Sequence, residues 1–190
     1  THPHTDHIGG LAYIISNFEV EKVFMSPKTS ISKTYVNLLN VIKEMGLSTN
    51  YLSAGNNIID IDDLKISVLA PNKEYPDTNN NSIVLKIVYN NNKFLFMGDA
   101  EKTSEKDILS DVSADVIKIG HHGSDTSSSE NFVNRVKAKY VIISVGKDNQ
   151  YNHPNSVVLD RWIASGAKIY RTDINGNIVV ISDGNEININ

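Results

Sequence analysis

The sequence predicts an α/β protein, a sheet-containing sandwich with helices on its outer faces. Three observations carry this. The first half holds short runs of alternating apolar and polar residues separated by turn residues, the pattern of meandering strands. The second half alternates strand-like and helix-like segments, the pattern of strands connected through helices. The length, 190 residues with 40% hydrophobic and 21% charged side chains, suits one soluble domain burying roughly 70% of its unfolded surface. Residues 1–190 show no internal repeat and no interdomain linker, so they read as a single domain.

The elements follow in order. Residues 8–18 place Leu11, Ile14, Ile15 and Phe18 at helical spacing. Residues 20–25 read as a strand ended by Ser26-Pro27. Residues 30–45 repeat Tyr35, Leu38, Leu39, Ile42 and Met45 with a helical period, and Gly46 supplies a stop. Strands are expected over 49–52, 57–61 and 64–69, followed by a Pro- and Asn-rich loop over 70–81. Residues 82–89 and 93–97 form a hairpin about Asn90-Asn91-Asn92. Then come a helix over 101–110, a strand over 115–119, a helix over 127–136 and a strand over 139–145. A helix over 154–165 carries Pro154 in its first turn, and a strand over 168–171 follows. A last hairpin is expected to turn at Asn175-Gly176.

Composition narrows the chemistry. With no Cys, disulfides, a thiol nucleophile and a Cys-based zinc site are excluded, and any metal must be held by imidazole and carboxylate. A formal net charge of −4 argues against a broad basic face for nucleic acid. No apolar run is long enough to span a bilayer, and no leader-type pattern is visible.

The six His fall at strand ends and in loops. His2, His4, Asp6 and His7 form H-x-H-x-D-H. At a strand end, positions i and i+2 share a side, so His2 and His4 can share one metal. A following turn would swing Asp6 and His7 toward a second. Imidazole with carboxylate suits zinc, manganese or iron. Residues 94–99 form an apolar strand ending in Gly98-Asp99, a place from which a carboxylate can bridge two cations. Residues 116–124 form another, running into His121-His122-Gly123-Ser124. Adjacent His project differently, so one would coordinate metal and the other face substrate. Residues 124–129 offer either a helix cap or a nest of hydroxyls and amides for phosphate. His153 follows a strand and is open to a role as ligand, general acid or helix-start residue. Opening on a three-His cluster with no structural lead-in, the chain reads as a fragment.

Taken together, H-x-H-x-D-H with Gly9-Gly10, Met97-Gly98-Asp99, residues 119–124 and residues 144–154 resemble the metallo-β-lactamase superfamily. More narrowly, the chain is similar to the metallo-hydrolase domain of the ComEC competence-protein family. Asn80-Asn81-Ser82 leading into Val84-Leu85, and Tyr170-Arg171-Thr172, fit as well. The resemblance implies an αββα sandwich, here without its first strands, and two divalent ions, Zn²⁺ or Mn²⁺. His2 and His4 would hold one ion, Asp6, His7 and His121 the other, and Asp99 would bridge them. Many superfamily members place a further His between the opening motif and the Gly-Asp. Residues 8–98 contain none, so the His2/His4 ion would be weakly held.

The activity implied is metal-dependent hydrolysis of a phosphodiester, nuclease-like, by a water activated between the cations, with Asp6 in the catalytic set. His122 or His153 would bind a phosphate oxygen or protonate the leaving oxygen, with Ser124, Asn81 and Ser82 touching substrate. Single-stranded DNA, bound without sequence preference, is an implied partner through a link to DNA uptake. That link would put the domain on the extracellular face of a membrane, and otherwise it would be cytoplasmic. The same metals also serve a small-molecule esterase or lactonase, and an incomplete domain could be an inactive module.

Overall fold

A computed structural model describes residues 1–190. Two short helices come first, α1 (Thr5–Ile8) and α2 (Leu11–Asn17). Strand β1 (Val23–Met25), helix α3 (Lys33–Glu44) and strand β2 (Thr49–Tyr51) then form a crossover, because β1 and β2 pair in parallel. Ser32 starts α3 by accepting a hydrogen bond from Tyr35 N on its side chain, at 3.2 Å. Gly46 ends it in a left-handed conformation, φ 69°. Tyr35, Leu38 and Ile42 recur on one side of α3 and bury against Ile8, Ile15, Val23 and Met25. Leu11, Ile14 and Phe18 of the expected apolar face stay largely exposed.

The second sheet has seven strands in chain order. They are β3 (Asn57–Ile61), β4 (Leu64–Ala70), β5 (Val84–Tyr89), β6 (Asn92–Phe96), β7 (Val116–Lys118), β8 (Tyr140–Ile143) and β9 (Lys168–Arg171). Pairing is antiparallel from β3 to β6 and parallel from β6 to β9. Helices α4 (Lys102–Asp107), α5 (Glu130–Val136) and α6 (Ser156–Ala164) connect the parallel strands.

Strand alternation sorts the core into layers. Leu69, Val84, Leu95, Ile117 and Val141 join Phe132, Val133 and Val136 of α5 and Val158 and Trp162 of α6 in a cluster of 20 buried residues. Val68, Ile83 and Leu85 point the other way and meet Leu52, just after β2. The order is therefore helix, small sheet, large sheet, helix: an αββα sandwich.

Four local expectations are corrected. Asn155 caps α6, its Oδ1 accepting from Val157 N at 3.0 Å, and Pro154 precedes the cap instead of sitting in the first turn. Residues Thr172–Asn175 form a helical turn, held because Thr172 Oγ1 accepts from Val145 N and donates to Val145 O, both at 2.8 Å. The last hairpin lies later, pairing β10 (Val180–Ser182) with β11 (Ile187–Ile189). Helix α4 is also shorter than the expected 101–110.

Candidate metal centre

Parallel strands all end at one edge of a sheet, so the loops that follow them meet there. β6 runs into Gly98-Asp99, β7 into His121-His122, and β8 into Ser144 and residues 145–155. Residues 1–8 fold over this edge. Ile83 N donates to Thr1 O at 3.0 Å, and His2 and Ile8 are buried. No strand forms at His2–His4. The chain is extended there, and α1 then turns Asp6 and His7 inward; His7 thus lies on a helix.

Four side chains converge. One ligand atom from each of Asp6, His7, Asp99 and His122 lies within 4.8 Å of all the others. His7 Nε2 is 3.1 Å and His122 Nε2 3.6 Å from Asp99 Oδ2, and His122 Nε2 is 3.3 Å from Asp6 Oδ2. His2 Nε2 lies beside the group, 3.8 Å from Asp99 Oδ2 and 2.9 Å from His4 Nδ1.

The outward nitrogens fix the rings. His122 Nδ1 is 2.7 Å from the Ser144 carbonyl. A carbonyl only accepts, so Nδ1 carries the proton and the Nε2 lone pair faces the cluster. His7 Nδ1 meets Thr1 Oγ1 at 2.8 Å. Ser82 Oγ, fully buried, accepts from Asp99 N at 3.0 Å and contacts His2 Nδ1 at 3.1 Å. Beneath the edge, Lys118 Nζ donates to Gly98 O and Ile119 O at 3.2 and 3.3 Å, tying together the two loops that carry Asp99 and His122. Gly98 has φ 55°, and a Cβ there would stand 2.9 Å from Ser82 Cβ, so only glycine fits this approach.

The charges respond to this packing. Burial would raise the Asp99 carboxyl, but its contacts with His122 and His7 hold it far below the usual carboxylate range. The Asp99 contact raises His122 against the pull of burial. Burial, with His7 beside it, pushes His2 down to about 3. Burial also lowers Lys118, with Asp99 and Asp6 opposing.

His7 Nε2 and Asp99 Oδ1 are buried without a hydrogen-bond partner. Buried polar atoms are nearly always paired, so two unpaired atoms on residues of this cluster of imidazoles and carboxylates fit a divalent cation.

The geometry exchanges two sequence expectations. His122, not His121, joins the cluster. His121 turns to Glu101, its Nδ1 3.0 Å from Glu101 Oε1, and Thr126 Oγ1 and Asn79 Nδ2 also donate to that carboxylate at 2.9 and 3.2 Å. Both His lie in left-handed backbone, φ 47° and 53°, which aims the rings apart. His153 faces the same open cleft of ≈ 540 Å³, lined also by His4, Thr5, Asp6, Asn79, Asp99, His121, His122 and Tyr151. Burial, then His121 and His122, lower the His153 imidazole.

The three residues expected to touch substrate do not line the cleft. Asn81 is fully buried and braces its own loop, its Oδ1 accepting from Tyr75 N and its Nδ2 donating to Tyr75 O. Ser124 is buried, its Oγ 3.0 Å from Thr126 Oγ1. Ser82 lies behind Asp99. Ser127 and Ser128 are buried too, so residues 124–129 form no open phosphate nest; Ser129 caps α5. Sequence reasoning passed over Glu101, Asn79, Tyr151 and Lys118. Only Lys118 left a signal, a lone cation inside the apolar run Val116-Ile117-Lys118-Ile119.

A family model described as the metallo-beta-lactamase superfamily matches residues 1–147. The chain belongs to the metallo-β-lactamase superfamily. Superfamily members are hydrolases, and the expected αββα fold is the one found. Within the superfamily the chain is 33% identical over 183 residues to ComE operon protein 3 of Bacillus subtilis (strain 168), covering 94% of this chain and 23% of that protein. It is 38% identical over 104 residues to competence protein ComA of Neisseria gonorrhoeae, covering 53% of this chain and 15% of that one. The chain thus spans less than a quarter of either relative. A solved diphosphatase of the PhnP family aligns at a TM-score of 0.38 and 16% identity, over 75% of this chain and 56% of its own. No helix is long and apolar enough to cross a membrane.

Proposed function

We propose that this superfamily hydrolase is a phosphodiesterase, nuclease-like, that works with divalent metal bound at Asp6, His7, Asp99 and His122. The observation that carries the reading is the convergence of those four ligand atoms within 4.8 Å at the floor of an open polar cleft. A second ion would draw on His2 and His4 with Asp99 shared, and having fewer protein ligands it is the weaker of the two. Zn²⁺ and Mn²⁺ both suit the donors. Bound metal supplies Lewis acidity and offsets charge developing on the phosphate oxygens.

The chain's own groups do the rest. Ser82 and Lys118 hold Asp99 and its loop in place. The Ser144 carbonyl keeps the His122 proton on Nδ1. Glu101 keeps the His121 proton on Nδ1, so that His121 and His153 are the imidazoles that face a phosphate oxygen or the leaving oxygen. Similarity to competence proteins supports a role in DNA uptake with single-stranded DNA as substrate.

The test is hydrolysis of bis(p-nitrophenyl) phosphate by the purified chain in Mn²⁺ or Zn²⁺. Asp99→Asn and His122→Ala should bring the rate to background, and a chelator should do the same reversibly. Undiminished rates in both variants would overturn the proposal.

A further inference from the structure

Residues 146–153 cross the rim of the cleft between β8 and α6, and they are held more firmly than an exposed loop requires. Asn149 spends its whole side chain on them. Its Nδ2 donates to Gly146 O and His153 O at 3.1 and 2.7 Å, and its Oδ1 accepts from Tyr151 N and His153 N at 3.2 and 3.0 Å. Asp148 and Asn152 supply the left-handed turns, φ 56° and 54°, a conformation that these two residue types tolerate better than most.

What this scaffold fixes is Tyr151, which is 69% exposed and lies on the wall of the same cleft as Asp6, Asp99 and His122. Its ring is stacked on His153, with 5.8 Å between centroids and 23° between planes. His153 in turn meets His121 edge-on at 5.7 Å. Ordering an exposed aromatic costs conformational entropy and buries little apolar surface in return, so packing does not account for the arrangement. With 69% of its surface exposed, Tyr151 leaves most of its ring free beside the cleft that it lines.

We propose that Tyr151, backed by His153, is a specificity-determining residue whose free face stacks the nucleobase next to the scissile phosphate. This rests on the phosphodiesterase reading and adds the substrate feature that the rim selects. Every base presents a π face, so stacking is sequence-tolerant. A net charge of −4 argues against a broad basic face holding a polyanion by charge alone, so ring stacking would add affinity beside the cluster.

The experiment compares a thymidine dinucleotide with the same diester carrying abasic sugars, in Mn²⁺, for the wild type, Tyr151→Leu and Tyr151→Phe. The wild type should prefer the base-bearing diester. Tyr151→Leu should cut the ratio of the two kcat/KM values about tenfold, through KM, while Tyr151→Phe retains it. A ratio unchanged in Tyr151→Leu overturns the proposal. If the wild type hydrolyses neither diester, the phosphodiesterase reading fails, and anisotropy of a labelled oligothymidylate against a labelled abasic oligomer then decides stacking by itself. A preference for the base-bearing oligomer that Tyr151→Leu loses supports the platform, and equal binding of the two oligomers by the wild type rejects it.

Discussion

Ser82→Ala should weaken both the fold and the metal centre, by amounts that follow from three contacts. Ser82 Oγ is the only partner of Asp99 N, so its removal leaves a buried backbone donor unpaired, at a cost of about 1–3 kcal/mol. His2 Nδ1 loses its 3.1 Å contact but keeps a 3.4 Å one to Thr1 Oγ1, so little is added there. A loss of about 2 kcal/mol is therefore expected. Trp162 is the single tryptophan and has no exposed surface, so its fluorescence reports urea unfolding of the core without an added probe. The same hydroxyl steadies Asp99 and His2, and removing such a support lowers metal affinity roughly 10–100-fold, readable by calorimetric titration with Mn²⁺. An unchanged urea midpoint together with unchanged affinity would refute the reasoning, because both effects come from one oxygen atom.

Lys118→Met removes the tie between the Gly98 and Ile119 carbonyls; Mn²⁺ affinity should fall about tenfold while the urea midpoint moves little, since an apolar side chain of similar size replaces a buried charge. Gly120→Ala places a Cβ 2.3 Å from the Ala100 carbonyl oxygen, and thermal unfolding should register a loss of about 1–3 kcal/mol from overpacking. Trp162→Phe gives up the 3.2 Å bond from Nε1 to Ser128 Oγ as well as packing volume, for about 1–3 kcal/mol by urea titration. Lys86 Nζ, 2.7 Å from Asp111 Oδ2, is the main reason that the Asp111 carboxyl lies well below its ordinary value. The folded state then binds fewer protons there than the unfolded chain, so the stabilisation is complete above the unfolded pKa of about 3.9 and is lost as pH falls from that value toward the depressed folded one. Asp111→Asn should flatten that acid limb of a plot of urea midpoint against pH.

The elements legible in the sequence were those whose side chains repeat with one period. Tyr35, Leu38 and Ile42 mark the inner side of α3, and Leu64–Ala70 alternates between two layers. The same Gly-Asp and His-His strand endings that mark the superfamily also mark the sheet edge where the site forms. What stayed hidden was direction. Two successive left-handed residues at His121 and His122 decide which ring enters the cluster, and no side-chain type announces that. Asn81 and Ser82 are polar residues in a loop, yet the loop folds back on Tyr75 and buries both. Asn175-Gly176 and Asp183-Gly184 carry equivalent turn signals. Thr172, bonded to Val145 just after the neighbouring strand β8, makes the first of them a helix end and leaves the hairpin to the second.

The exchange from antiparallel to parallel pairing at β6 has a consequence for how the centre comes into being. Antiparallel β3–β6 is built from near neighbours in sequence, whereas Asp6 and His122 meet across 116 positions. Contacts so distant along the chain are slow to close, and Asp6 has nowhere to dock until β6, β7 and β8 stand side by side. Metal capture at the proposed centre would therefore report that the parallel half has assembled. A chain released from the ribosome before Ser144 would carry all four proposed ligands and still lack the Ser144 carbonyl that orients the His122 ring.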